Sequence, residues 1–187
     1  LPDKVLCCGI LKQEIECLVK DKNIEMHYFD PALHVDFDKL EESLTCTLNN
    51  MAAGNTVLVF GTKCHPDMEN IAAKHGARII RAGNCIEMLL GDGMAQLDAE
   101  ARTFYFTGGW LANWRKIFIE GLKWDKVDAR QNFGYHERIL LLDTGFFPID
   151  DEELLEFFEY TGVPIEVKSI NLENLGKKLK ELFNSEE

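Results

Sequence analysis

A short apolar run, a loop of small residues and a helix-patterned segment follow one another repeatedly along this chain. That recurring unit restricts the fold more than any other feature. The apolar runs are Lys4–Cys8 (KVLCC), residues 24–29 (IEMHYF), 56–60 (TVLVF), 77–81 (ARIIR), 103–106 (TFYF), 138–142 (RILLL) and 163–167 (VPIEV). Several are apolar throughout rather than alternating, the pattern of strands covered on both faces. Strand–loop–helix alternation predicts an α/β fold: a single domain over residues 1–187, mainly parallel sheet, helices on both faces. No linker or low-complexity stretch divides the chain, and the units share a hydrophobic pattern without sharing sequence.

Helices are expected between the strands. Residues 11–20 carry Leu11, Ile15, Leu18 and Val19 at helical spacing, and residues 37–51 carry Phe37, Leu40, Leu44, Leu48 and Met51. Pro66 followed by acids starts another, which Gly76 ends. Further helices are expected over 86–90, 94–101, 110–122, 150–160 and 172–183, with Gly91-Asp92-Gly93 breaking two of them apart. The polar stretch 123–137 reads as a long loop holding a short helix at most.

In an open parallel sheet, ligands bind beyond the carboxyl ends of the strands. Three of the six cysteines, Cys8, Cys64 and Cys85, fall in loops at that edge, each near the first turn of a helix. A helix N-terminus favours anions and lowers a thiol's pKa, so thiolates are expected there. Three thiolates at one edge repel each other unless a cation lies between them. Three cysteines also leave one position open on a tetrahedral zinc or on the fourth iron of a [4Fe-4S] cluster. Two other readings stand beside this one: separate buried thiols, since cysteine is among the most buried residue types, and a reactive thiol without metal. Cys7 adjoins Cys8 and points the opposite way on a strand; Cys8 is the expected ligand because it adjoins Gly9. Cys17 is expected half-buried on its helix and Cys46 structural.

His34, just after the second strand, is a candidate ligand or proton donor beside the cysteines. His65, next to Cys64, is a second candidate. His27 and His75 read as structural. Gly108-Gly109-Trp110 follows a strand and opens a helix, so with Gly9 it is a candidate cofactor-binding segment in which glycines admit a ligand to backbone N–H groups. Trp114 and Arg115 follow, and Arg115 joins His34 as a candidate catalytic residue able to hold a planar or anionic ligand. Trp110 and Trp114, at i and i+4, also read as core. Asp143-Thr144-Gly145 holds the equivalent place after the next strand without being specific. No P-loop, G-x-G-x-x-G or G-x-S-x-G occurs, which removes ordinary nucleotide and serine-hydrolase readings.

Net charge is −12, from 32 acidic against 20 basic residues. That field repels phosphate backbones and anionic membrane surfaces, so neither nucleic acid nor membrane is an expected partner. No apolar run approaches the ~20 residues of a membrane helix. The first residues lack a basic leader, and a cytoplasmic location is expected. A small-molecule or cofactor ligand is the expected partner, and a homo-oligomer is allowed.

Cys8-Gly9-Ile10-Leu11 with Glu14, Leu33-His34 with Leu40, Gly61 then Cys64, Asn84-Cys85-Ile86 with Leu89-Leu90-Gly91, and residues 105–110 ending in TGGW together resemble the domain of unknown function 1638 family. The resemblance covers roughly residues 4–170. That family is found in methanogenic archaea and anaerobic bacteria, its members often near corrinoid proteins and methylamine-type methyltransferases, so the resemblance implies an anaerobic methyl-transfer setting. Members commonly carry Tyr-Gly-x-Cys-Gly at the second cysteine; this chain has Phe60-Gly61-Thr62-Lys63-Cys64-His65 instead. The expectation is therefore a metal- or iron–sulfur-binding protein with an open three-cysteine site, an enzyme or accessory protein of anaerobic one-carbon metabolism. The alternatives are a non-catalytic module that binds metal or a corrinoid protein, and a metal-free thiol enzyme.

Overall fold

In the computed structural model, which describes residues 2–51 and 54–184, every sheet pairing is parallel. Strands β1 (Lys4–Cys8), β2 (Glu25–Phe29), β3 (Thr56–Val59) and β4 (Arg78–Ile79) form one sheet in the order β2-β1-β3-β4. Strands β5 (Thr103–Thr107), β6 (Arg138–Asp143) and β7 (Ile165–Ser169) form a second, in the order β5-β6-β7. The α/β alternation read from the sequence is thus present, distributed over two parallel sheets.

The central strands carry the uninterrupted apolar runs. Val5, Leu6 and Cys7 in β1 and Ile139 and Leu142 in β6 are wholly or almost wholly buried, because each strand is flanked by two neighbours and covered on both faces. Edge strand β7 alternates Ile165-Glu166-Val167-Lys168 and is mostly exposed. The helices are α1 (Lys12–Val19), α2 (Phe37–Asn50), α3 (Met68–Lys74), α4 (Cys85–Leu90), α5 (Gly93–Glu100), α6 (Gly108–Leu111), α7 (Lys126–Phe133), α8 (Asp151–Thr161) and α9 (Glu173–Asn184). Leu40, Leu44 and Leu48, one helical turn apart, bury one face of α2. The last helix returns to the first sheet: Asn174 Nδ2 donates to the carbonyls of Glu87 and Met88 at the end of α4, at 3.1 and 2.9 Å. The buried apolar side chains of both sheets form one cluster.

Three local expectations change. The helix expected over 110–122 is two pieces, α6 and a π-helical segment Arg115–Gly121, whose wider turns bring Trp110 and Phe118 into stacking at 5.9 Å. The loop expected over 123–137 contains the full helix α7, started by a reciprocal cap between Asp125 and Asp128. Cys17 is exposed rather than half-buried, on the outer face of α1, and Cys46 is exposed as well, so neither packs in the core.

Candidate functional site

The carboxyl ends of β1, β3 and β4 carry the three cysteines, and contacts between loops draw those ends together. Cys8 is the last residue of β1, immediately before a 3-10 turn, Gly9–Leu11, that leads into α1. Cys64 lies in the loop after β3. Cys85 opens α4, whose preceding Asn84 accepts from the Glu87 N–H at 2.9 Å. The β3 loop is laid along the β4 loop by two backbone bonds, Thr62 N–H to Ala82 O at 2.9 Å and Lys63 N–H to Gly83 O at 2.8 Å. A Cβ on Gly61 would stand 2.2 Å from the Gly83 oxygen, so glycine is what allows this approach.

Cys85 and Cys64 stand near enough for their charges to act on Cys8, and Cys85 near enough to act on Cys64. Burial is the main cause that pushes the Cys8 thiol up, and the charges of Cys85 and Cys64 add to it. Cys64 is pushed up to about 12, again by burial first and then by Cys85. Cys85 is raised by burial, with the Trp110 indole N–H working the other way and the Glu14 carboxylate raising it further. The sequence led us to expect helix N-termini to lower these thiols. Desolvation outweighs that effect, because α4 is short and all three sulfurs are shut from water. Cys7, the neighbour of Cys8, faces away: its Sγ approaches the His27 carbonyl at 3.7 Å, and Glu16 and Lys12 of α1 are its charged neighbours.

His34 sits in the 3-10 turn Pro31–Val35, which Asp30 starts by accepting from the Ala32 N–H at 2.9 Å. Its Nδ1 is 3.5 Å from Cys8 Sγ, and its ring meets Trp110 edge-on at 5.5 Å. Burial lowers its pKa, so the imidazole is neutral near pH 7. Trp110 therefore touches both His34 and Cys85 from the second sheet's side. Gly109 makes this possible, since a Cβ there would stand 1.9 Å from the Ile10 oxygen.

The remaining candidates lie elsewhere or act otherwise. Arg115 forms ion pairs with Glu153 and Glu156 of α8 and lies over the Trp114 ring at 4.4 Å, so it is tied to that helix rather than to the thiols. Trp114 is core and donates to Glu153 at 2.6 Å. His65 accepts from the Asp67 N–H at Nδ1, 3.0 Å away, and its Nε2 lies 3.6 Å from Glu41, so both ring nitrogens have partners outside the cysteines. Gly9 and Gly108 are close-packing positions: a Cβ would meet the Phe29 oxygen at 2.7 Å and the Phe147 side chain at 2.5 Å. Their small size serves chain-to-chain contact. Beside Gly9 a surface cleft of about 510 Å³ opens, lined by Lys12, Tyr28, Asp30, Asn113 and Lys116 among others.

One group that the sequence reading quoted only for the family resemblance, without a role, stands near enough to Cys85 to act on it. Glu14 of α1 is fully buried; its Oε1 accepts from the Thr144 hydroxyl at 2.7 Å and its Oε2 has no partner. The available signal was its spacing, three residues after Leu11 and one before Ile15, on the inward face of α1.

Among the described residues, no group of three or more His, Cys, Asp and Glu side chains is arranged to hold a single metal ion. A preset tetrahedral zinc site, in which every sulfur lies about 2.3 Å from one ion, is therefore not what these residues form by themselves.

The chain matches the family described as Protein of unknown function (DUF1638) over residues 28–179. It belongs to that family. The DUF1638 match contains His34, Cys64, Cys85, Trp110 and Thr144, while Cys8 and Glu14 precede it. No curated protein and no solved structure matches the chain. No helix among the described residues of this DUF1638 member is long and apolar enough to cross a membrane.

Proposed function

We propose that this DUF1638 protein carries a soft-metal centre on Cys8, Cys64 and Cys85, a [4Fe-4S] cluster with one iron left without a cysteine, and serves as an enzyme or accessory protein of anaerobic one-carbon metabolism. The observation that carries this reading is the placing of three buried thiols, from three separate loops, at the carboxyl edge of one parallel sheet, with Cys85 and Cys64 near enough for their charges to act on Cys8. Buried thiols that raise one another are poor company as thiolates without a cation among them, and a metal deprotonates a coordinating thiol outright.

Three cysteines with no fourth facing them are the donor set of a [4Fe-4S] cluster with one iron left to an outside ligand. His34 beside Cys8, the Trp110 indole beside Cys85 and the backbone at Ile10 and Ile86 are among the groups set against the sulfurs, and such contacts tune a cluster's potential. When bound, the cluster would supply a Lewis-acidic iron open to a sulfur or oxygen of a small ligand. The protein's own part is to keep that position dry. A corrinoid protein is the partner implied by the family's setting, and the acidic surface suits a basic docking face.

A metal-free thiol enzyme is the second reading, favoured by the Cys8–His34 contact at 3.5 Å. Anaerobic purification followed by iron, sulfide and zinc analysis separates the two. Iron and sulfide in equal amounts are expected, with sharp loss of both in Cys64→Ala. A metal-free protein with one fast-alkylating thiol, or a Cys64→Ala variant with unchanged metal, would sink the cluster reading.

A further inference from the structure

Strand β7 is the most open sheet edge among the described residues. An edge strand leaves a row of backbone N–H and C=O groups unpaired, and proteins cover it, shorten it or guard it with charge. Edge strands β2, β4 and β5 are mostly half-buried or buried, whereas in β7 every residue after Ile165 is exposed. Its one sheet neighbour is β6. Ile139 N–H donates to the Pro164 carbonyl and Ile170 N–H to the Asp143 carbonyl, each at 2.8 Å. Backbone groups of successive strand residues turn to opposite sides, so Glu166 and Lys168 turn theirs to β6. Ile165, Val167 and Ser169 turn theirs outward, where no other described residue bonds to them.

The side chains of β7 say what fits there. Register sets Phe106, Leu141 and Val167 in one row across the sheet. Helix α8 covers that row, with Phe157 stacked on Phe106 at 4.5 Å, but stops short of the edge, where Val167 stays 49% exposed. On the same face α8 exposes Leu155 and Phe158, so apolar surface does not end with the strand. Glu166 and Lys168 flank Val167 on the other face. Arg138 Nη1 fixes Glu166 Oε2 at 3.0 Å, and Lys168 has no ion-pair partner among the described residues. A guard of one sign would repel a second copy. Opposite signs placed evenly about Val167 do not: an antiparallel strand turned about that residue brings each Glu166 opposite Lys168 of the other chain. The edge is its own complement.

We infer that β7 is a docking edge for a second copy of this chain, pairing antiparallel with Val167 opposite Val167 on a two-fold axis. The outward groups of Val167 then meet as a hydrogen-bonded pair, and so do those of Ile165 with Ser169 of the other copy. Glu166 and Lys168 of the other copy fall in the narrow pairs between them, where Cα atoms stand about 4.5 Å apart and opposite charges attract. One continuous sheet thus runs through both chains, and neither keeps an open β7 edge. The net charge of −12 otherwise sets copies of the chain against each other, so an edge of mixed sign is where two can meet.

The test is sedimentation equilibrium of the full chain, with a thiol reductant so that the exposed Cys17 and Cys46 cannot link chains. At micromolar concentration the wild type is expected to show twice the mass of one chain. Val167→Lys and Val167→Glu each set like charges against each other on the two-fold axis, and each is expected to weaken the dimer about ten-fold. Mixed, the two variants set opposite charges there, and a dimer with one chain of each kind is expected to return. A wild type that keeps the mass of one chain throughout the micromolar range overturns the inference. So does a dimer that Val167→Lys leaves intact, since it must lie on another surface. A mixture that dimerises no better than either variant alone overturns the register and the inference with it. Should a Val167 variant fail to fold, Lys168→Glu decides: it sets two carboxylates opposite each other, and an undiminished dimer overturns the inference.

Discussion

At Cys64, burial and the charge of Cys85 hold the proton on sulfur up to about pH 12, against 9.0 for an ordinary thiol. A group whose pKa is raised by folding contributes its full stability below the unfolded value and loses it as pH climbs through the folded value. For Cys64 that window runs from 9.0 to about 12. At roughly 1.4 kcal/mol per pKa unit the whole shift is on the order of 4 kcal/mol. Urea unfolding of metal-free protein is therefore expected to show stability falling steadily above pH 9, with a shallower fall in Cys64→Ala. Metal-loaded protein, whose thiols have already lost their protons, is expected to lack this alkaline decline. A flat profile for the metal-free wild type would count against the burial of these sulfurs. The positions of Cys8, Cys64 and Cys85 at the strand ends were legible because topology alone puts them there. Glu14 was not, since its meaning depends on Thr144, 130 residues away. The ion pairs of Arg115 were not legible for the same reason: Glu153 and Glu156 lie on a helix that local pattern cannot dock.

Elements reach this edge only where glycine lets one backbone lie on another. Gly109 sets the start of α6 against Ile10, and an added Cβ would fall 1.9 Å from a backbone oxygen that cannot swing aside. Gly109→Ala is expected to cost about 1–3 kcal/mol or more by overpacking. It should also weaken the Trp110 contact with His34 and lower metal content. Gly93, at the start of α5, has open space where its Cβ would be, so Gly93→Ala is expected to be neutral or stabilising by up to about 1 kcal/mol. Equal melting shifts for the two would show that the approach at Ile10 is slack. Helix α7 offers a separate check: Asp125 accepts from the Val127 and Asp128 N–H groups at 2.7 and 2.9 Å, and Asp125→Ala is expected to cost about 1 kcal/mol in urea unfolding. That Asp-x-x-Asp signal was present in the sequence, but α7 has only Ala129 and Phe133 buried, so the apolar spacing that marks the other helices was missing. The π-helical turn at Arg115–Gly121 had no signal at all, because helical spacing does not separate turns of different width.

Polar and backbone contacts between the two sheets gather at the edge that carries the cysteines. The Glu14–Thr144 bond, the Gly109–Ile10 approach and the Lys116–Asp30 ion pair all cross there, while α9 returns over α4. The alternation of strand and helix said that the sheet would be mainly parallel, but it carried no mark of where one sheet stops, since strand neighbours are chosen by long-range packing. The buried apolar cluster is continuous across both sheets, which argues for one cooperative unfolding unit. All three tryptophans, Trp110, Trp114 and Trp124, belong to the β5–β7 half, so their fluorescence reports on that half, while far-UV circular dichroism reports on both. The two signals are expected to change together in urea. Thr144→Val removes the donor to a fully buried carboxyl and is expected to cost about 1–3 kcal/mol without separating them, because apolar packing still spans the two sheets. Fluorescence and dichroism midpoints that part company in the wild type would mean two independent units, and metal bound at the edge would then steady the β1–β4 half alone.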